Sequence, residues 1–178
     1  MNEAGADFSK LNIVGSDGSG IAGLSDEVGK NKVNLGWEFY GWAIIKALQD
    51  GYDLNYMPLA DLDSRLDYYT PVIITNKKMI KKNSDTVKKF MEATKKGYEY
   101  AIDHPSKAAE ILHEDALSDT DLKFLKESQK YLSSQYAKDA DSWGVMKDSD
   151  NYTDFMYETG LISQKIDAKD QYTNEFVK

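Results

Sequence analysis

Apolar positions change their period partway along this chain, from short runs in the first part to a helical repeat in the second. Leu11, Ile13 and Val14 form one short run, followed by the glycine-rich stretch at 15–20 and a weak helical pattern from about Ile21 to Val28. This order predicts a strand, a turn and a helix. Residues 33–37 predict a second strand, after which Tyr40, Ile44, Ile45 and Leu48 recur at helical spacing up to a stop at Gly51. Residues 53–59 predict a third, short strand ending at Pro58. Residues 70–75 predict a fourth, with Pro71 at its start, where a missing amide is tolerated. The polar, turn-rich stretch 61–69 between them, with its adjacent Tyr68 and Tyr69, reads as a linker between lobes.

From Ser84 onward the pattern is helical. Val87, Phe90, Met91, Thr94, Tyr98, Ala101 and Ile102 share one face of a helix capped by Ser84 and stopped by His104-Pro105; this is expected to be the longest helix. Lys88, Lys89, Lys95 and Lys96 lie on its other side. Ala108, Ala109, Ile111 and Leu112 mark a second, short helix. Leu122, Leu125, Gln129 and Leu132 mark a third, opened by Ser118 or Asp119. A fourth opens at Ser149, turns Tyr152, Phe155 and Met156 inward, and closes at Gly160. One-sided helices must cover something, and four short strands supply little sheet for so many of them. The expectation is an α/β chain that forms the C-terminal part of a longer protein, with its helices packing on strands encoded upstream.

Composition narrows the function. Lys and Arg total 22 against 30 Asp and Glu, a net charge of -8, which opposes binding to nucleic acid or an anionic membrane. There is no cysteine, which removes disulfides, thiol nucleophiles and thiolate metal sites together. No run in the sequence is apolar enough to span a bilayer and no leader precedes Asp7, so a secreted parent would carry its leader outside this stretch. His104 and His113 fall at helix ends and read as cap residues rather than catalytic bases. The glycine stretch lacks the Gly-Lys-Ser/Thr ending of a nucleotide-binding loop, and neither a zinc-protease, a calcium-loop nor a hydrolase-elbow motif occurs. Arg65, the only arginine, stands among Asp61, Asp63 and Asp67 and reads as a structural clamp; the three aspartates read as solvating charge.

The densest chemistry is Gly36-Trp-Glu-Phe-Tyr-Gly-Trp42, with two indoles, a phenol, a phenyl ring, one carboxylate and two glycines where strand pattern gives way to helix. It has two readings. Rings bury large areas, so the stretch suits a core corner. Flat rings, glycines that admit close approach and one orienting charge also suit a ligand cleft. Its place at the carboxyl end of a predicted strand favours the cleft, because ligands of open α/β sheets bind there.

Together with residues 53–59 (Asp-Leu-Asn-Tyr-Met-Pro-Leu), 67–74 (Asp-Tyr-Tyr-Thr-Pro-Val-Ile-Ile), 96–101 (Lys-Gly-Tyr-Glu-Tyr-Ala) and the terminal 173–178 (Thr-Asn-Glu-Phe-Val-Lys), this motif resembles the solute-binding proteins for thiamine pyrimidine precursors. Those proteins belong with the binding proteins of sulfonate and nitrate importers and share a fold with eukaryotic pyrimidine synthases. The resemblance implies part of a two-lobe, type II periplasmic-binding-protein-like fold, helix-rich and lacking the upstream strands. Residues 1–66 would be the latter part of the second lobe, and 67–178 the crossover and return to the first. It implies a substrate-binding component of an ABC importer, without catalysis, cofactor or metal, that captures an aminopyrimidine and hands it to a transporter permease. Trp37, Tyr40 and Trp42 are the expected walls, Glu38 the expected carboxylate, and Tyr69 a residue reaching in from the crossover. Localisation would be extracytoplasmic, as a membrane-anchored lipoprotein or a periplasmic protein. A pyrimidine-synthase-like enzyme and a binder of a sulfonate-type solute are the alternatives, the enzyme disfavoured by the missing cysteines. Apolar faces around Phe90, Tyr98, Phe155 and Met156 that lose their cover would drive self-association into a homo-oligomer.

Overall fold

The computed structural model describes residues 5, 7–13, 35–138, 142–147 and 151–177. The chain divides into two compact units, Met1–Leu54 and Asn55–Lys178.

In the first unit the described residues form a 3-10 turn at Phe8–Lys10, then a π-helical turn, Tyr40–Ile44, that runs directly into helix α1, Ile45–Gln49. Ala43, Ile44, Ile45 and Ala47 are buried, one stripe of a short amphipathic helix. The helix stops as its sequence predicts. Gly51 adopts a φ of 87°, and the Gly51 and Tyr52 amides close the end by donating to the carbonyls of Leu48 and Ala47. Lys46 and Asp50 pair one turn apart on its exposed side.

The second unit is helical. Its elements are α2 (Leu59–Leu62), a 3-10 turn (Ser64–Leu66), α3 (Lys77–Lys82), α4 (Ser84–Asp103), α5 (Pro105–Asp115), α6 (Leu122–Gln135), α7 (Asn151–Glu158) and a 3-10 turn (Ala168–Asp170). At 20 residues α4 is the longest, and Gly97 does not interrupt it. His104 ends it and leads into α5, whose first residue is Pro105, placed where its missing amide removes no bond. The core sits where α5 and α6 pack together, with α4 against both: Ala109 is fully buried, and Phe124, Leu125 and Ser128 lie beneath it on α6. Ser133 Oγ donates to the Ala101 carbonyl at 2.7 Å and ties α6 to α4. Glu110 receives Lys107 at 2.7 Å and Lys126 at 2.6 Å, a clasp across α5 and α6.

The end of the chain is fastened to the same unit. Asn174 accepts from the Met146 amide at 2.9 Å and donates to the Met146 carbonyl at 2.7 Å, while Lys95 donates to the Val177 carbonyl. Val177 is buried against Gly144, where a Cβ would stand 3.2 Å from its Cγ1. Trp143 stacks on Tyr98 at 4.2 Å between ring centroids, and Tyr136 meets the same ring edge-on. Tyr98 therefore has cover from within the unit, contrary to the expectation that its face is left open. Phe90 is exposed.

Arg65 is the clamp that its neighbours suggest. Its guanidinium holds Asp63 at 2.6 Å and Glu158 at 3.0 Å and lies 5.3 Å from the centre of the Phe155 ring. Tyr68 stacks on Tyr152 beside it. These contacts join the 63–66 turn to α7, so this turn belongs with the second unit, and the division falls between Leu54 and Asn55.

Several expected elements differ. Residues 53–59 and 70–75 are not strands; among the described residues there is no strand at all. A strand is held by a ladder, and among the described residues neither stretch forms one. Residues 11–13 and 35–37 are likewise irregular; the remainder of those two predicted strands, the glycine stretch and the helix at 21–28 lie outside the described residues, as does Ser149. Helix starts are also displaced. Asn83, not Ser84, precedes α4. Asp121, not Ser118 or Asp119, caps α6, its carboxylate accepting from the Lys123 and Phe124 amides. Asp121→Ala is expected to lower the stability of the second unit by about 1 kcal/mol, read from its thermal unfolding by circular dichroism. α7 ends as predicted, with Gly160 at a φ of 74° and the Leu161 amide donating to the Met156 carbonyl at 2.8 Å.

Two carboxylates of the second unit are held well below their ordinary range. The Arg65 hydrogen bonds lower Asp63 to about 2, and those from Lys107 and Lys126 lower Glu110 to about 2. A depressed carboxylate stabilises the fold above its unfolded value, here 3.8 and 4.5, and that support is lost as the pH falls through about 2. Acid melting followed by helical circular dichroism is expected to show this loss, and Glu110→Gln is expected to flatten it over the same window.

Candidate functional site

Phe39 organises the aromatic corner. It precedes the π-helical turn in an extended conformation, and its carbonyl accepts from the amides of Trp42 at 3.2 Å, Ala43 at 3.0 Å and Ile44 at 3.5 Å. The chain thus passes from an irregular segment, 35–39, into a helix within one residue. The π turn is a feature that periodicity does not reveal: it winds wider than an α-helix and shifts the angular positions of Tyr40, Gly41 and Trp42 relative to those an α-helix would give.

The rings of this corner are not its core. Trp37 is 69% exposed, Phe39 65% and Trp42 45%, while the buried positions are Gly41, Ala43, Ile44 and Ile45. Two readings were open for this stretch, and the exposure of three rings beside a small-residue core is the geometry of an open aromatic surface. Tyr40 and Glu38 are half-buried. Burial raises the Glu38 carboxyl above its ordinary value of 4.5. The corner therefore holds one half-buried carboxyl of raised proton affinity in the same short stretch as two exposed indoles, with Gly41 buried beneath.

Trp37, Glu38, Tyr40 and Trp42 lie within six consecutive residues of the first unit, Trp37 and Glu38 in the irregular segment and Tyr40 and Trp42 in the π-helical turn. Tyr69 belongs to the second. There its ring is exposed and its hydroxyl accepts from the Lys147 amide at 2.9 Å. The lone arginine is consumed by its clamp, and among the described residues no group of three or more His, Asp or Glu side chains is placed to hold a metal. His104 follows the last residue of α4 and His113 lies in the last turn of α5. No described helix is long and apolar enough to cross a membrane.

None of the curated proteins matches the chain. One protein family, described as NMT1/THI5 like, matches residues 1–108, a span that takes in the whole aromatic corner, the Arg65 turn, α3, α4 and the start of α5. That span is more than half of the 178 residues, and the chain belongs to the NMT1/THI5-like family.

Proposed function

We propose that this chain is part of the substrate-binding component of an ABC importer and captures an aminopyrimidine precursor of thiamine, without catalysis. The observation that carries the proposal is the corner at 37–42: exposed indoles of Trp37 and Trp42 flank a half-buried Glu38 in a member of a family whose description fits thiamine-precursor or sulfonate-type binding. An aminopyrimidine is flat and presents a ring nitrogen and an exocyclic amine on one edge. Indoles suit its faces and a carboxylate suits that edge. A sulfonate would instead call for cations or amide donors, and the corner offers a carboxylate.

On this reading the corner is one wall of a ligand cleft, and Tyr69 lies on the crossover between lobes. A permease receives the ligand from the closed protein outside the cytoplasm, where the binding component is a lipoprotein or a periplasmic protein. The test is calorimetric titration of the two-lobed parent with an aminopyrimidine and, separately, with an alkyl sulfonate. Saturable heat with the first alone is the expected result. Saturation by the sulfonate alone, or by neither, overturns the assignment, and an iron requirement for turnover would move the chain to the synthase class.

A further inference from the structure

The winding of the aromatic corner changes at one residue. Tyr40–Ile44 is π-helical and Ile45–Gln49 is α-helical, so the wider winding covers Tyr40 and Trp42 and gives way soon after the last ring. Its register shows in the backbone: the Phe39 carbonyl accepts from the Ile44 amide and the Tyr40 carbonyl from the Ile45 amide, each five residues on. An α-helix closes each such bond over four residues. The turn therefore holds one residue more than regular winding needs, and such turns are rare.

One extra residue has a definite geometric effect. At about 3.6 residues per turn it rotates the chain before it by about 100° around the axis of α1 and moves it about 1.5 Å along that axis. Trp37, Glu38 and Tyr40 stand before Gly41, while Trp42 and the buried Ala43, Ile44, Ile45 and Ala47 follow it. The angle between Trp42 and the Trp37–Glu38 pair thus depends on the length of this turn as well as on which residues it carries. Gly41 is buried but adds no side chain to the core, so it is the member of the turn whose removal takes away neither a ring, the carboxylate nor a core side chain.

We propose that Gly41 is a positioning residue of the corner: as the extra member of the π turn, it sets the angle between Trp42 and the Glu38 carboxylate at which a flat aminopyrimidine is accepted. This rests on the proposed function and goes beyond it in naming what fixes the geometry of the site. The test is deletion of Gly41 from the two-lobed parent, which closes the turn to α winding. The melting temperature is expected to stay unchanged or to rise. In the absence of ligand, the fluorine resonance of 5-fluorotryptophan at position 42 is expected to shift, while that of Trp143, in the second unit, stays in place. Aminopyrimidine affinity by calorimetry is expected to fall by about tenfold or more, because a rotation of about 100° lies far outside the roughly 10–20° within which a binding constellation must be held. Unchanged affinity overturns the proposal, and so does an unmoved Trp42 resonance. A lowered melting temperature, or a variant that fails to fold, assigns the extra residue to the core and overturns it equally. If the unaltered parent itself gives no saturable heat, the proposed function falls and this inference falls with it; heat that is equal in parent and variant removes this inference alone.

Discussion

Phe124→Ala is expected to lower the unfolding free energy of the second unit by about 3–5 kcal/mol, the range for deleting a fully buried ring. Phe124 is 2% exposed and sits with Leu125 where α5 and α6 meet; these are the two largest fully buried side chains of the described residues. The consequence exceeds that of a ring lost from a wide core. Here α4 contributes no buried residue although it is the longest helix, and α7 contributes none either. With so little burial elsewhere, few neighbours can close over the cavity, and a loss of that size takes up a large part of the whole stability of a domain. Chemical denaturation followed by helical circular dichroism is the measurement. Phe90→Ala is the control: that ring is exposed, and its removal is expected to change stability by less than about 0.5 kcal/mol. Equal losses for the two variants would show that the α5–α6 core does not hold the unit together.

The helices were legible in the sequence because they carry their own hydrogen bonds and their stop signals are local. Gly51 and Gly160 close α1 and α7 by adopting positive φ, and Pro105 separates α4 from α5, each at the residue that composition names. Caps were less legible. Asn83 and Asp121 stand close to rival polar residues, and which one leads the helix depends on backbone geometry rather than residue type. The strands expected at 53–59 and 70–75 are absent, because a strand is a relation between segments: Ile73 and Ile74 have the side chains of a buried strand, but no described segment offers them a ladder.

The clamp at Arg65 was legible for a different reason. A lone guanidinium among three carboxylates has nowhere else to go, although Glu158, its partner 93 residues away, is invisible to any local pattern. The aromatic corner was legible as a place and not as a geometry. Density of rings marks it, but whether those rings turn inward depends on the π turn that follows Phe39, and no periodicity announces a turn of that kind.

Glu38→Gln in the two-lobed parent is expected to weaken aminopyrimidine binding by about 2–5 kcal/mol, the cost of removing one partner from a desolvated, charge-assisted contact. Thermal stability is expected to stay nearly unchanged, since glutamine keeps the shape and Glu38 is already half exposed. A second readout separates binding from structure. Burial raises the Glu38 carboxyl above its ordinary value of 4.5, so its carboxylate, proposed to meet the ligand, is lost at a higher pH than an ordinary glutamate would lose it. Affinity in the native protein should therefore carry a titration from this group, and Glu38→Gln should remove that component from the pH profile. Trp37→Ala is expected to weaken binding too, through lost stacking, and to leave the pH profile in place. Trp37 is 69% exposed, so its removal should cost little stability in the absence of ligand. Calorimetry at several pH values decides: an affinity that Glu38→Gln leaves unchanged, with its pH dependence intact, would place this carboxylate outside the site and leave the indoles at 37 and 42 as exposed surface with another partner.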